Sequence, residues 1–147
     1  MLQVRMMTDA DLTAVMEIEK QNYTHPWSRT IFSDCLCTGY ECRVYQAQNQ
    51  IQAYSVMSAA AGEAHLLNLS VDPQHQGKGM GRWVLRQVIV HARENAADTL
   101  FLEVRASNYI ARQLYESEGF NEIGQRFDYY PAEQGREDAL VFARPLL

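Results

Sequence analysis

Hydrophobic positions along the chain change period several times, and each change predicts an element boundary. Val4 to Met7 is a short extended run. Thr8, Asp9, Ala10 and Asp11 then offer helix N-caps and first-turn acids. Leu12, Val15 and Met16 follow at helical spacing, with Glu19 and Lys20 continuing the stripe. Pro26-Trp27-Ser28 interrupts it. Ser28 can cap a second helix with Ile31, Phe32, Cys35 and Leu36 on its apolar face and Gly39 as its stop. The period then drops to two. Cys42–Ala47 alternates as a strand, Gln48-Asn49-Gln50 turns, and Ile51–Ala60 returns as its antiparallel partner. After Ala61-Gly62, Glu63–Val71 is a mostly apolar strand suited to a sheet centre.

Beyond a glycine-rich stretch the helical period returns, with Val84, Leu85, Val88, Ile89 and Ala92 on one face. Ala96-Ala97-Asp98 ends that helix, and Thr99–Val104 reads as a buried strand. Ser107-Asn108 caps a further helix with Ala111, Leu114 and Tyr115 inward, stopped by Glu118-Gly119-Phe120. Asn121–Tyr130 and Ala139–Arg144 are two last strands joined by a polar loop, Pro131 to Asp138. The order β-α-α-β-β-β-α-β-α-β-β predicts an α/β (α+β) fold, a mixed sheet flanked by helices. No repeat, linker or low-complexity segment divides residues 1–147, so one domain is expected.

Composition narrows the function. A chain of 147 residues that is 47% hydrophobic and 21% charged can bury a real core. No apolar run approaches a membrane span, and the N-terminus turns acidic too early for a signal peptide. A cytoplasmic protein is expected. Cys35, Cys37 and Cys42 cannot all pair and form no Cys-x-x-Cys, so they read as small core residues rather than disulfides. The histidines at 25, 65, 75 and 91 are scattered, and no metal site is expected. A net charge of −5 argues against a nucleic-acid binder and suits a cationic substrate.

The stretch Leu69 to Arg82 organises the chemistry. It runs from a strand end through Asp72-Pro73 and three glycines into a helix start, where unpartnered N–H groups and the macrodipole favour phosphate oxygens. Lys78 is followed by Gly79 rather than Ser or Thr, which rules out a P-loop. Gly77, Gly79 and Gly81 are evenly spaced and sit several residues past the strand, a poor match to a dinucleotide fingerprint. Gln76-x-x-Gly79-x-Gly81 remains, and it resembles the pyrophosphate loop of the GNAT N-acetyltransferases.

Three further side chains could do chemistry. Glu103 is an isolated acid in an apolar strand, either a base with a raised pKa or half of an ion pair with Arg105 or another arginine. Tyr115 could donate a proton to a leaving thiolate or be an amphipathic core residue. Asn108 reads as an N-cap or a ligand contact. Trp27, between two helices, is either a staple or a substrate contact.

The resemblance widens on the residues already named. Leu69-Ser70-Val71-Asp72-Pro73, Gln76 to Arg82, Leu102 to Asn108, Leu114-Tyr115-Glu116 and Gly119-Phe120 are all similar to the GNAT family. His25-Pro26-Trp27-Ser28, Leu102 to Asn108, Tyr129-Tyr130-Pro131 and Gly135 to Ala139 resemble its RimI type, bacterial acetyltransferases of the N-terminal alanine of small-subunit ribosomal protein eighteen. The resemblance implies a mostly antiparallel seven-stranded sheet with four helices, and acetyl-CoA as co-substrate without a metal. It implies strand-edge contacts to pantetheine from Leu69, Ser70 and Val71, and from Asn108. Gln76, Gly77, Lys78, Gly79, Met80, Gly81 and Arg82 would hold the pyrophosphate. Glu103 would be general base and Tyr115 general acid. A ribosomal-protein N-terminal peptide would enter between the Trp27 loop and the hairpin bearing Tyr130. Acetylation of other N-termini, lysines or small amines, or a non-catalytic acetyl-CoA-binding module, are the competing readings.

Overall fold

The structure is a computed structural model and describes residues 2–147. Seven strands form one sheet in the order β1-β2-β3-β4-β5-β7-β6. They are β1 (Gln3–Met6), β2 (Glu41–Ala47), β3 (Gln50–Ala60), β4 (Glu63–Val71), β5 (Thr99–Arg105), β6 (Asn121–Pro131) and β7 (Arg136–Pro145). The helices are α1 (Leu12–Asn22), α2 (Arg29–Thr38), α3 (Met80–Glu94) and α4 (Tyr109–Ser117). Every strand pair is antiparallel except β4·β5, which is parallel and joined through α3. This is the mixed sheet with four helices expected from the sequence. Local chemistry explains the boundaries. Ser28 accepts a hydrogen bond from the Ile31 N–H at 3.2 Å, and Gly39 closes α2 at φ 85°, where a Cβ is costly.

Two apolar clusters lie on opposite faces of the sheet. Leu12, Val15 and Ile18 of α1 pack with Phe32 and Cys35 of α2 over Val44, Tyr54 and Val56. On the other face Val84, Leu85, Val88 and Ile89 of α3 cover Ala53, Met57, Leu66, Leu100 and Leu102. Some expectations change. Ile31 turns to solvent, so the inner face of α2 is Phe32 and Cys35 with Leu36 at its edge. Cys35 and Cys42 are buried, but Cys37 is exposed. The β6–β7 hairpin is longer than its polar sequence implies, pairing out to Pro131 and Arg136, so the loop shrinks to residues 132–135. A glutamate, an aspartate and an arginine sit comfortably in this outer ladder because an edge hairpin leaves them solvated. No helix among the described residues is long and apolar enough to cross a membrane.

Candidate active site

The site forms where two neighbouring strands part. β4 and β5 pair in parallel only from Glu63↔Thr99 to Leu66↔Leu102. A register shift in β4 beside Leu67 lets it turn away. Leu66, Leu69 and Val71 therefore face the α3 cluster, whereas Asn68 and Ser70 bond to Glu19 and Asn22 of α1. The Asp72 N–H donates to the Gln52 carbonyl at 2.8 Å, so by antiparallel alternation the backbone groups of Val71 and Leu69 point away from β3. The Tyr23 hydroxyl donates to the Leu69 carbonyl at 3.0 Å. Asn22 Nδ2 and Gln76 Nε2 donate to the Val71 carbonyl at 2.7 and 2.9 Å. What this splayed edge still offers is the N–H groups of Leu69 and Val71. The Ser70 side chain, by contrast, is buried and accepts from Asn22 at 2.8 Å, a structural role.

The glycine stretch follows a short 3₁₀ turn, Pro73–His75. Gly77 and Gly79 have φ of 77° and 81°, the region that favours glycine, with no atom within 4 Å of an added Cβ. Gly79 is the N-cap of α3 and brings no side-chain cap, so the Met80, Gly81 and Arg82 N–H groups precede the first helical bond, Trp83 N–H to the Gly79 carbonyl. A Cβ at Gly81 would lie 3.8 Å from Leu114, ordinary contact. The side chains of the loop do other things. Gln76 pins the loop to Asn22 and Val71. Arg82 reaches across to Ser117 and Glu118 at 2.8 and 2.6 Å, tying α3 to α4. Lys78 is exposed. The donor set is thus a row of backbone N–H groups at a positive helix end, which fits a pyrophosphate.

A cleft of about 760 Å³ runs through the split, lined by β4 and β5, the end of α1, the Trp27 segment, α4 and the β6–β7 hairpin. Glu103, Tyr115, Asn108, Leu69, Trp27 and Tyr130 all line it. Glu103 differs from expectation. Its side chain keeps 30% of its surface and is paired with Arg126 of β6, not Arg105, which binds Glu137 at 3.2 Å. The Tyr129 hydroxyl also donates to Glu103, at 3.3 Å. The premise of a buried, isolated charge fails because nothing from α1 or α2 covers this end of β5. Arg126 and Tyr129 come within reach through an irregularity in β6. Three residues, 127 to 129, stand opposite one position of β7, with Asp128 at φ 52° and its N–H bound to Asp138.

Tyr115 packs its ring against Phe120 and Phe142, and burial pushes its hydroxyl pKa up, so it stays protonated. Asn108 caps α4, accepting from the Ala111 N–H at 3.2 Å, so its Oδ1 is engaged at the cleft edge. Trp27 combines both of its sequence readings, stacking its ring 5.2 Å from Phe32 while lining the cleft. Tyr130 lies under the Arg105 guanidinium at 4.6 Å, and burial together with the Glu103 charge pushes its pKa up to about 12. Five residues of this region escaped the sequence reading: Glu19, Asn22, Tyr23, Asn68 and Arg126. Glu19 had a signal, since it occupies the i+7 place of the stripe Leu12, Val15, Met16. Arg126 had none, because it acts through a strand irregularity.

The GNAT acetyltransferase family model matches residues 12–120. A [ribosomal protein bS18]-alanine N-acetyltransferase of Salmonella typhimurium is 38% identical over 143 residues, 97% of each chain. The enzyme of that name from Escherichia coli K12 is 39% identical over 136 residues, 92% of each chain. The solved structure of the ribosomal-protein-S18-alanine N-acetyltransferase from Escherichia coli superposes with a TM-score of 0.92 at 37% identity, covering 99% of this chain and 94% of that one. A split sheet, a backbone anion cradle at a helix start and near-full-length kinship agree, and the chain belongs to the GNAT family of acetyltransferases.

Proposed function

We propose that this enzyme transfers acetyl from acetyl-CoA to the N-terminal alanine amine of ribosomal protein bS18, in the cytoplasm. The observation that carries this reading is the match to relatives of that name across 92–97% of both chains. The cleft adds physical support, since it opens between the Trp27 segment and the Tyr130 hairpin and is wide enough for an extended peptide end. Acetyl-CoA supplies the acetyl group as an activated thioester. The N–H groups of Met80, Gly81 and Arg82 would bind its pyrophosphate, and those of Leu69 and Val71 its pantetheine arm. Glu103 takes a proton from the attacking amine, directly or through water, and its half-exposed position gives that proton a way out. Tyr115 gives its proton to the departing sulfur; burial keeps it loaded, and the same water-poor setting favours quenching a thiolate. A terminal amine with a pKa of about 7.7 to 8.0 needs little help to lose its proton near neutrality.

Incubation with acetyl-CoA and a bS18 N-terminal hexapeptide, followed by fragmentation mass spectrometry, tests the reading. Acetyl on the terminal alanine supports it. Acetyl confined to lysine side chains, or none on any peptide, overturns it.

A further inference from the structure

One carboxylate in the cleft has no part in the proton transfers above. Glu19 is 2% exposed, yet it lines the cleft wall. None of the ion pairs among the described residues includes it. Its Oε1 accepts from the Tyr54 hydroxyl at 2.5 Å and Asn68 Nδ2 at 3.0 Å, and its Oε2 from the Trp27 N–H at 2.9 Å. All three donors are neutral, and Oε2 keeps an acceptor site unfilled. A buried carboxylate is ordinarily paired with a cation. Asn68, 9% exposed and also on the cleft wall, has the matching deficiency. Its amide nitrogen must face the carboxylate, which fixes its Oδ1 on the other side, and that oxygen is buried without a partner. Two adjacent buried acceptors thus lack a donor, and one of them is anionic. The complement is a compact cation with several N–H groups.

We propose that Glu19 and Asn68 form the seat for the incoming peptide's terminal ammonium, selecting free N-termini over blocked ones. The inference rests on the reading of the cleft as a peptide N-terminal acetylation site. An –NH₃⁺ group has three donors, enough for Glu19 Oε2 and Asn68 Oδ1 with one to spare. The anchors of the seat lie on both walls of the peptide entrance. Glu19 holds the Trp27 segment through its backbone, and Asn68 belongs to the irregular part of β4 where the sheet splits. Glu103 lies on the same sheet face, since Leu102 and Val104 on either side of it point into the α3 cluster. The base is therefore on the side where the ammonium is held.

The test compares two hexapeptides of the bS18 sequence, one starting with alanine and one with a propionyl group that lacks only the amine. Binding to the full-length enzyme is measured by calorimetry at pH 6.5, where the amine is an ammonium. The wild type should bind the alanyl peptide about tenfold more tightly, the size expected of a charge-assisted contact. In Glu19→Gln that ratio should fall to about one, with acetyl-CoA binding unchanged. A structural role for Glu19 predicts instead that both peptides weaken equally and the ratio persists, which would overturn the proposal. So would a wild-type ratio near one, as when water fills the seat. Should Glu19→Gln not fold, Asn68→Ala carries the same comparison. Because binding is read rather than turnover, failure to acetylate alanine would strike the proposed function alone.

Discussion

At the scale of single residues, the cleft separates groups that must change protonation from groups that must not. Tyr115 is held neutral by burial, as a donor requires. Tyr115→Phe removes one oxygen from a ring already packed on Phe120 and Phe142, so the fold should stay intact. We expect kcat to fall about 10²–10⁴-fold, as for loss of a general acid, with the acetyl-CoA KM changed less than about threefold. Steady-state thiol release measures both, and unaltered turnover would remove Tyr115 from the proton path. Glu103→Gln should cost a similar factor in kcat. Tyr54, whose hydroxyl bonds Glu19, is pushed up by burial first and by the Glu19 charge second, so it remains a donor to that carboxylate.

At the scale of elements, two glycines two positions apart do different jobs. Gly79 sits at φ 81°, and an L-residue in that region costs roughly 1–2 kcal/mol. Gly79→Ala should lower Tm by about 2–4 °C per kcal/mol lost and weaken acetyl-CoA binding, because relaxing φ re-aims the first N–H groups of α3. Gly81 has an ordinary helical backbone and only Leu114 at 3.8 Å from an added Cβ. Gly81→Ala should leave Tm unchanged or raise it slightly, since alanine is the better helix former. Calorimetric melting with and without acetyl-CoA distinguishes the two. At the other end of the chain, Ser28→Ala should cost about 1 kcal/mol by removing the α2 cap. The Trp27 segment is the start of that helix, so peptide KM should rise with it.

For the whole molecule, acid sensitivity follows from two carboxylates that fasten distant elements. Asp11 accepts from both Arg5 guanidinium nitrogens at 2.8 Å, and this bond holds its pKa below the usual range. Glu118 is lowered by its hydrogen bond to Arg86 and then by Arg82, joining α3 to α4 beside the anion cradle. A pKa depressed in the folded state contributes stability above the unfolded value of about 4, and that contribution is lost as pH falls through the folded value. Unfolding free energy should therefore be flat between about pH 7 and 5 with respect to these groups and decline below about pH 4. Asp11→Asn should flatten part of that decline in urea titrations, and an unchanged slope would place the acid sensitivity elsewhere.

Much of this enzyme was legible in the chain. The change of hydrophobic period from 2 to 3.6 located all eleven strands and helices to within a few residues, because burial on a strand or helix face is a local, periodic demand. The anion cradle was legible too, since positive φ at Gly77 and Gly79 is a backbone property that only glycine meets cheaply. Glu103 was found as an acid in an apolar strand, but its partner Arg126 was not, and neither was the joining of Glu19 to Asn68 across 49 positions. Those pairings depend on where β4 leaves β5 and how β6 buckles against β7. Such geometry arises from packing between segments far apart in sequence, and only the folded sheet determines it.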